Sequence, residues 1–262
     1  YFSGYDGKVH EDGGVDFWVD DWVWDTYLAL HPLQVLLNPK AQEQKLSSYI
    51  RMYEQSGWMP TFPCVFGDAH CMNGNHVAGV FADALHKGLQ FDVEKAFEGM
   101  RHTVMNESMI PWYLGPKTEL DDFYHEHGWF PALHPGEKEV FPMVGPFEQR
   151  QAVTTAASYD DWCIAQLAKY LKKETEYDFF NKRSYNYRKV FNKETNFFHP
   201  KDKDGNFIEP FDYIFSGGIG SRAYYDENNA WTYNWDVHHH IQDLIDLFGG
   251  EEPFTEKLDH YL

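Results

Sequence analysis

Positive charge is scarce in this sequence: 22 Lys and Arg stand against 41 Asp and Glu, a formal net charge of −19. A phosphate-binding surface needs clustered Lys and Arg, so this balance argues against nucleic acid as a partner and against docking on an anionic membrane. Cysteine is equally sparse. Cys64, Cys71 and Cys163 cannot all pair within the chain, and a small Cys64–Cys71 loop is permitted by spacing but not required. No cysteine–histidine spacing resembles a zinc site. No apolar run approaches the roughly 18 residues of a membrane span, and no signal peptide can be read. No repeat of fixed period is present. The sequence opens at Tyr1-Phe2-Ser3-Gly4 without a methionine and ends inside a helical pattern, as a piece of a longer protein would.

Aromatic residues are what the chain has in excess. They make up 18%, with 9 Trp, 17 Tyr and 21 Phe, which favours a ring-stacking ligand such as a carbohydrate. The densest stretch is Tyr224–Trp235, where Asp226 and Glu227 lie among five rings just after the glycine-rich 216–221 segment. Flat rings cover the apolar faces of a pyranose. Glycosidic cleavage also needs a carboxylic acid kept protonated by apolar surroundings, so that it can give its proton to the leaving oxygen. The same segment also fits an aromatic loop packed against a helix.

Helical periodicity dominates the 262 residues, enough for one large domain or two small ones. It predicts one or two helices over 16–37 interrupted at Pro32, then helices over 41–55, 76–86, 93–106, 151–172, 175–190, 237–247 and 253–260. Residues 107–150 carry Pro111, Pro116, Pro131, Pro135, Pro142 and Pro146 and read as an extended excursion with one short helix near 118–126. Lys203-Asp204-Gly205-Asn206 reads as a hairpin turn. Helices in sequential pairs, with long aromatic loops between pairs, suit a toroid of helical hairpins; a plain bundle or solenoid fits the same pattern.

The loops collect the chemistry. Asp20–Asp25 offers three carboxylates and two indoles; on a helix, Asp21 and Asp25 would share a face, or the acids would simply favour a helix N-terminus. Asn75 is placed to cap the helix that follows it, and Gly74 would let backbone approach a ligand closely. His76 is a candidate contact. Tyr159-Asp160-Asp161-Trp162 is a second acidic–aromatic cluster, read as capping and support. His238-His239-His240 fails as a metal site, since consecutive helical residues project about 100° apart.

Taken together, these stretches resemble glycoside hydrolase family 92, the calcium-dependent, inverting, exo-acting α-mannosidases. The resemblance runs nearly end to end: Tyr5-Asp6-Gly7-Lys8-Val9-His10; Trp24-Asp25-Thr26 with His31-Pro32-Leu33; Met72-Asn73-Gly74-Asn75-His76 with Ala82-Asp83-Ala84 and Lys87-Gly88; Tyr159–Trp162; and Tyr225–Trp235. It implies a mainly α chain forming part of an (α/α)6-toroid catalytic domain, with a β-sandwich domain and the rest of the toroid lying outside residues 1–262. The family's Glu-Gly-Asn-x-Trp-x-Tyr pattern implies Glu227 as general acid, with Asn229, Trp231 and Tyr233 in the pocket and Asn228 in place of the usual glycine. Asp226 matches no invariant carboxylate of the family.

By the same resemblance Trp24 and Asp25 line the pocket for a terminal mannose, and Asn75 and His76 contact substrate. His239 matches the family's Pro-His-Asp, while His240 replaces its acid. Calcium is the implied cofactor, with most ligands and the general base outside this chain; a mannose-containing glycan is the implied partner, and a secreted or periplasmic setting the implied location. Two other classes fit the residues. A different toroid enzyme such as a uronate lyase would need Arg or Lys at the site, where this chain is acidic. A non-catalytic glycan-binding relative would need no base at all.

Overall fold

A computed structural model describes residues 1–137, 150–215 and 224–262. The chain divides into two compact units, one of residues 1–117 and 160–181, the other of 118–159 and 182–262. The glycine-rich 216–221 segment, Pro142 and Pro146 lie outside the described residues.

In the first unit, α1 (Val23–Thr26) and α2 (Leu30–Leu37) lead to α3 (Pro39–Ser56), α4 (Val77–His86) and α5 (Val93–Asn106). Pro32 does not interrupt a helix as expected; it occupies the first turn of α2, where its missing N–H has no intrahelical partner to lose. Asp21 lies ahead of α1, so it and Asp25 are not one turn apart on a helix. α3 is amphipathic, burying Leu46, Tyr49, Ile50 and Met52. α4 buries Val77, Ala78, Val80, Phe81, Ala82 and Ala84, close to its whole circumference, which marks it as a core helix flanked by α3 and α5. Close approach is built in at Gly99 of α5, where a Cβ would sit 2.5 Å from Met59 Cε and 3.0 Å from the Tyr53 ring. Asp92 caps α5 by accepting from the Lys95 N–H. By contrast α2 leaves Leu30, Leu33, Leu36 and Leu37 exposed.

The second unit holds α6 (Glu119–His127), the one short helix expected in the proline-rich excursion, started by a Thr118–Asp121 capping box. The helix expected over 175–190 is instead α8 (Glu174–Arg183) followed by a 3-10 turn, Asn186–Val190. A long helix, α7 (Arg150–Tyr170), and α8 contribute residues to both units. The Lys203–Asn206 turn is present, closed by a Lys201–Phe207 bridge and by Asp202 Oδ1 accepting from the Asp204 and Asn206 N–H groups. The unit ends in α9 (Ala230–Tyr233), α10 (Ile241–Leu247) and α11 (Glu251–Tyr261). Its core includes a cluster around Tyr187, Phe191, Phe198 and Phe248 and another around Phe197, Tyr225 and Tyr233. α10 starts four residues later than expected, so the three histidines precede it and are not helical. All three cysteines are buried thiols outside any disulfide, Cys64 and Cys71 within one apolar cluster.

Candidate active site

In the first unit the Cys71–His76 motif is organised by an acid 84 residues further on. Asp160 Oδ1 accepts from His76 Nδ1 at 2.8 Å and Oδ2 from the Asn75 backbone N–H at 2.6 Å, both buried. Asp160 lies mid-way along α7, so the Tyr159–Trp162 cluster supports a neighbouring loop and caps nothing. With Nδ1–H committed to the carboxylate, His76 presents Nε2 as an acceptor when neutral. Its ring stacks on Tyr27 at 4.1 Å. Gly74 (φ +84°) is required for a reason other than ligand approach: a Cβ there would lie 2.5–2.9 Å from the His76 ring. Asn75 is not the N-cap, a place held by His76 without a side-chain bond. The Asn75 Oδ1 atom is buried without a partner among the described residues.

Asp25 and Trp24 share α1. Asp25 is exposed and Trp24 half-buried. A hollow of about 470 Å³ is lined by Asp25, Trp18, Trp22, Asp21 and Lys45 among others, and Trp24 is not among its lining residues. Asp21 is tied down. Its carboxylate accepts from Thr26 Oγ1 at 2.8 Å, from Tyr49 Oη and from His31 Nε2 at 2.7 Å. Burial acts to raise its pKa, but the bonds and the charge interaction with His31, with the Tyr49 and Thr26 bonds, outweigh it and hold Asp21 at about 2. On the other side of the ring, His31 Nδ1 faces the Gln42 carboxamide, 2.9 Å from its Nε2 and 3.2 Å from its Oε1. His31 of the His31-Pro32-Leu33 motif is thus the buried brace beneath this hollow.

In the second unit, the acid loop makes a tight irregular path ahead of α9. Tyr224 and Glu227 have φ of +66° and +55°, the left-handed region that non-glycine residues seldom enter. Glu227 is half-buried, whereas Asp226 is buried. Tyr233 braces the loop: its hydroxyl donates to the Asp226 carbonyl at 2.9 Å and lies 3.2 Å from the Asp226 N–H. Asn229 caps α9, its Oδ1 accepting from Thr232 N–H and its Nδ2 donating to the Ile214 carbonyl at 3.0 Å. Both ends of that side chain therefore hold the loop. Trp231 is half-buried and meets Phe197 edge-on at 4.9 Å.

His239 donates Nε2–H to the Ser184 carbonyl at 3.0 Å, and burial pushes its pKa down to about 3, so it is a neutral packing group. His240 stacks on Tyr185 at 4.0 Å. One residue without a sequence signal also adjoins the acid loop. Gln151 and Ala152 both donate their backbone N–H to the Tyr224 carbonyl at 3.1 Å, and the Gln151 carboxamide is buried with neither polar atom partnered among the described residues. Among the described residues no group of three or more acidic, histidine or cysteine side chains could hold a metal ion.

The family model for the glycosyl hydrolase family 92 catalytic domain matches residues 1–262. Among solved structures, the chain is similar to a family GH92 inverting mannosidase from Bacteroides thetaiotaomicron VPI-5482, with 33% identity and a TM-score of 0.83 over 99% of this chain and 32% of that one. It is also similar to a family GH92 α-mannosidase from Bacteroides thetaiotaomicron in complex with mannoimidazole, at 28% identity and a TM-score of 0.84, again covering 99% of this chain and 32% of the other. A secreted glycosidase from Arthroderma benhamiae is 26% identical over 232 residues, 79% of this chain and 29% of the relative. The chain spans about a third of the length of these relatives.

Proposed function

The chain belongs to glycosyl hydrolase family 92, and from that premise we propose that the protein it forms part of is an exo-acting α-mannosidase, releasing terminal mannose from glycans with inversion. Its fold class is that of the family's catalytic domain, the (α/α)6 toroid of helical hairpins. The observation that carries the functional reading is Glu227. This carboxyl is half-buried at a left-handed backbone position, in a loop bounded by Tyr224, Tyr225 and the aromatic helix α9. The relatives of the chain include an α-mannosidase solved in complex with mannoimidazole.

In this reading Glu227 holds its proton until the glycosidic C–O bond lengthens, then gives it to the departing oxygen. Water adds to the opposite face of the sugar, activated by a second carboxylate roughly 6.5–9.5 Å away, as inversion demands. That base is assigned to no residue of this chain and belongs to the larger protein. Within the second unit Trp231 is proposed as a ring wall; within the first, Trp24 is proposed as a ring contact and Asp25 as an exposed carboxylate suited to sugar hydroxyls. His76, oriented by Asp160, offers Nε2 to a hydroxyl; the orphaned Asn75 Oδ1 is a second acceptor. Asn229, Tyr233 and His239 are proposed to act on substrate indirectly, by holding the loop and its packing.

The calcium ion implied by the family would bind sugar hydroxyls and favour a flattened ring. The described residues offer no convergent set of acidic or imidazole donors for it, so its ligands are proposed to lie elsewhere in the protein. A secreted or periplasmic setting is supported by the relative named a secreted glycosidase; no helix among the described residues is long and apolar enough to cross a membrane.

The test is proton NMR of the full-length protein acting on an α-mannoside. Early appearance of β-mannose is expected. Early α-mannose would contradict inversion, and no sugar release from any α-mannoside would favour the glycan-binding alternative.

A further inference from the structure

α9 has only four residues and begins three positions after Glu227. A helix that short cannot hold its own side chains in place, so the orientation of Trp231 must come from outside it. The last helix supplies it. Lys257, His260 and Tyr261 lie at i, i+3 and i+4 on one face of α11. Lys257 Nζ lies 5.1 Å from the Trp231 ring centroid, the His260 ring lies 5.2 Å from it, and Tyr261 Oη is 3.4 Å from Thr232 Oγ1.

The Lys257 ammonium is set in an unusual place. It sits 3.3 Å from the Phe197 centroid and 5.9 Å from that of Phe248, and donates to the Thr195 carbonyl at 3.0 Å. Burial lowers its pKa to about 8, and among the described residues no carboxylate offsets that burial. A half-buried ammonium without a counter-charge is costly, and ring faces with one carbonyl are what compensate it here. A methionine or leucine would fill the same space without that cost, so the charge itself calls for an explanation.

We propose that Lys257 is a positioning residue of the glycan site, fixing the plane of the Trp231 indole by a cation–π contact made from α11. The inference rests on the reading of Trp231 as a wall of the mannose pocket. A wall that contacts the sugar equally in the ground state and the transition state lowers KM and leaves kcat alone. Lys257 acts through that wall and touches no reacting atom.

The experiment compares Lys257→Met, Lys257→Arg, Trp231→Ala and the Lys257→Met/Trp231→Ala double variant in the full-length enzyme, with an aryl α-mannoside as probe. Lys257→Met should raise KM roughly three- to fivefold with kcat within about twofold of wild type. Lys257→Arg keeps the cation over the rings and should restore KM. In the Trp231→Ala background Lys257→Met should have no further effect. An unchanged KM in Lys257→Met, equal impairment of the Met and Arg variants, or multiplicative effects in the double variant would each overturn the clamp. Absence of wild-type turnover would instead sink the mannosidase function on which it rests.

Discussion

Glu227 sits where a glutamate pays a conformational penalty of about 1–2 kcal/mol, because its Cβ crowds the backbone at positive φ. Such strain persists only where neighbours over-determine it, and the Tyr233 hydroxyl and the Asn229 cap do so on the C-terminal side. Gln151 carries a second local penalty: a buried carboxamide with no partner on either atom among the described residues. Gln151→Met removes that amide at similar volume. It should raise thermal stability by about 1–3 kcal/mol, measured by denaturant melts; a loss of stability would show that the amide is satisfied in solution. Asp160→Asn has the opposite sign. An amide cannot accept from both the Asn75 N–H and His76 as the carboxylate does, so a loss on the order of 2 kcal/mol is expected in the same assay. At this scale the sequence was informative about which types of residue gather, and less so about their partners. The pairing of Asp160 with His76 spans 84 positions and leaves no periodic trace. Gly74 was legible as special, but the group its missing Cβ accommodates is the His76 ring.

Among the elements, α3, α4 and α5 follow their apolar spacing closely, since long amphipathic segments carry many independent signals. The departures occur where one residue decides. Pro32 is tolerated inside α2 because it falls in the first turn, and the run 237–240 lies ahead of α10, which starts at Ile241 without a side-chain cap. Neither outcome has a periodic signature. Gly99 shows packing overriding propensity. Alanine is the better helix former by about 1 kcal/mol. Yet its Cβ would meet Met59 at 2.5 Å and Tyr53 at 3.0 Å, so Gly99→Ala should be net destabilising by about 1–2 kcal/mol in a thermal melt. A stabilised Gly99→Ala variant would mean that Met59 swings aside and that α3 and α5 are looser than described.

For the molecule as a whole, burial of neutral His239 links stability to pH. Its pKa falls from the ordinary 6.5 to about 3 on folding, so its contribution is complete above pH 6.5 and is lost as pH falls towards 3. Asp21, held at about 2 against an ordinary 3.8, adds a second loss only between those values. Melts across pH 7 to 4 should therefore show declining stability that His239→Gln flattens; an unchanged slope in that variant would assign the decline to other groups. The family and the helical class were legible from motif order, whereas the general base and calcium ligands were assigned to no residue of this chain. Since the chain spans about a third of its relatives, function has to be tested in the full-length protein. The most direct measurement is kcat/KM of full-length wild type and Glu227→Gln across mannosides of rising leaving-group pKa. If Glu227 is the general acid, the variant should lose roughly 10²–10⁴-fold on alkyl mannosides and far less on a dinitrophenyl mannoside. A uniform loss across the series, or near-wild-type turnover of the alkyl mannosides, would contradict it.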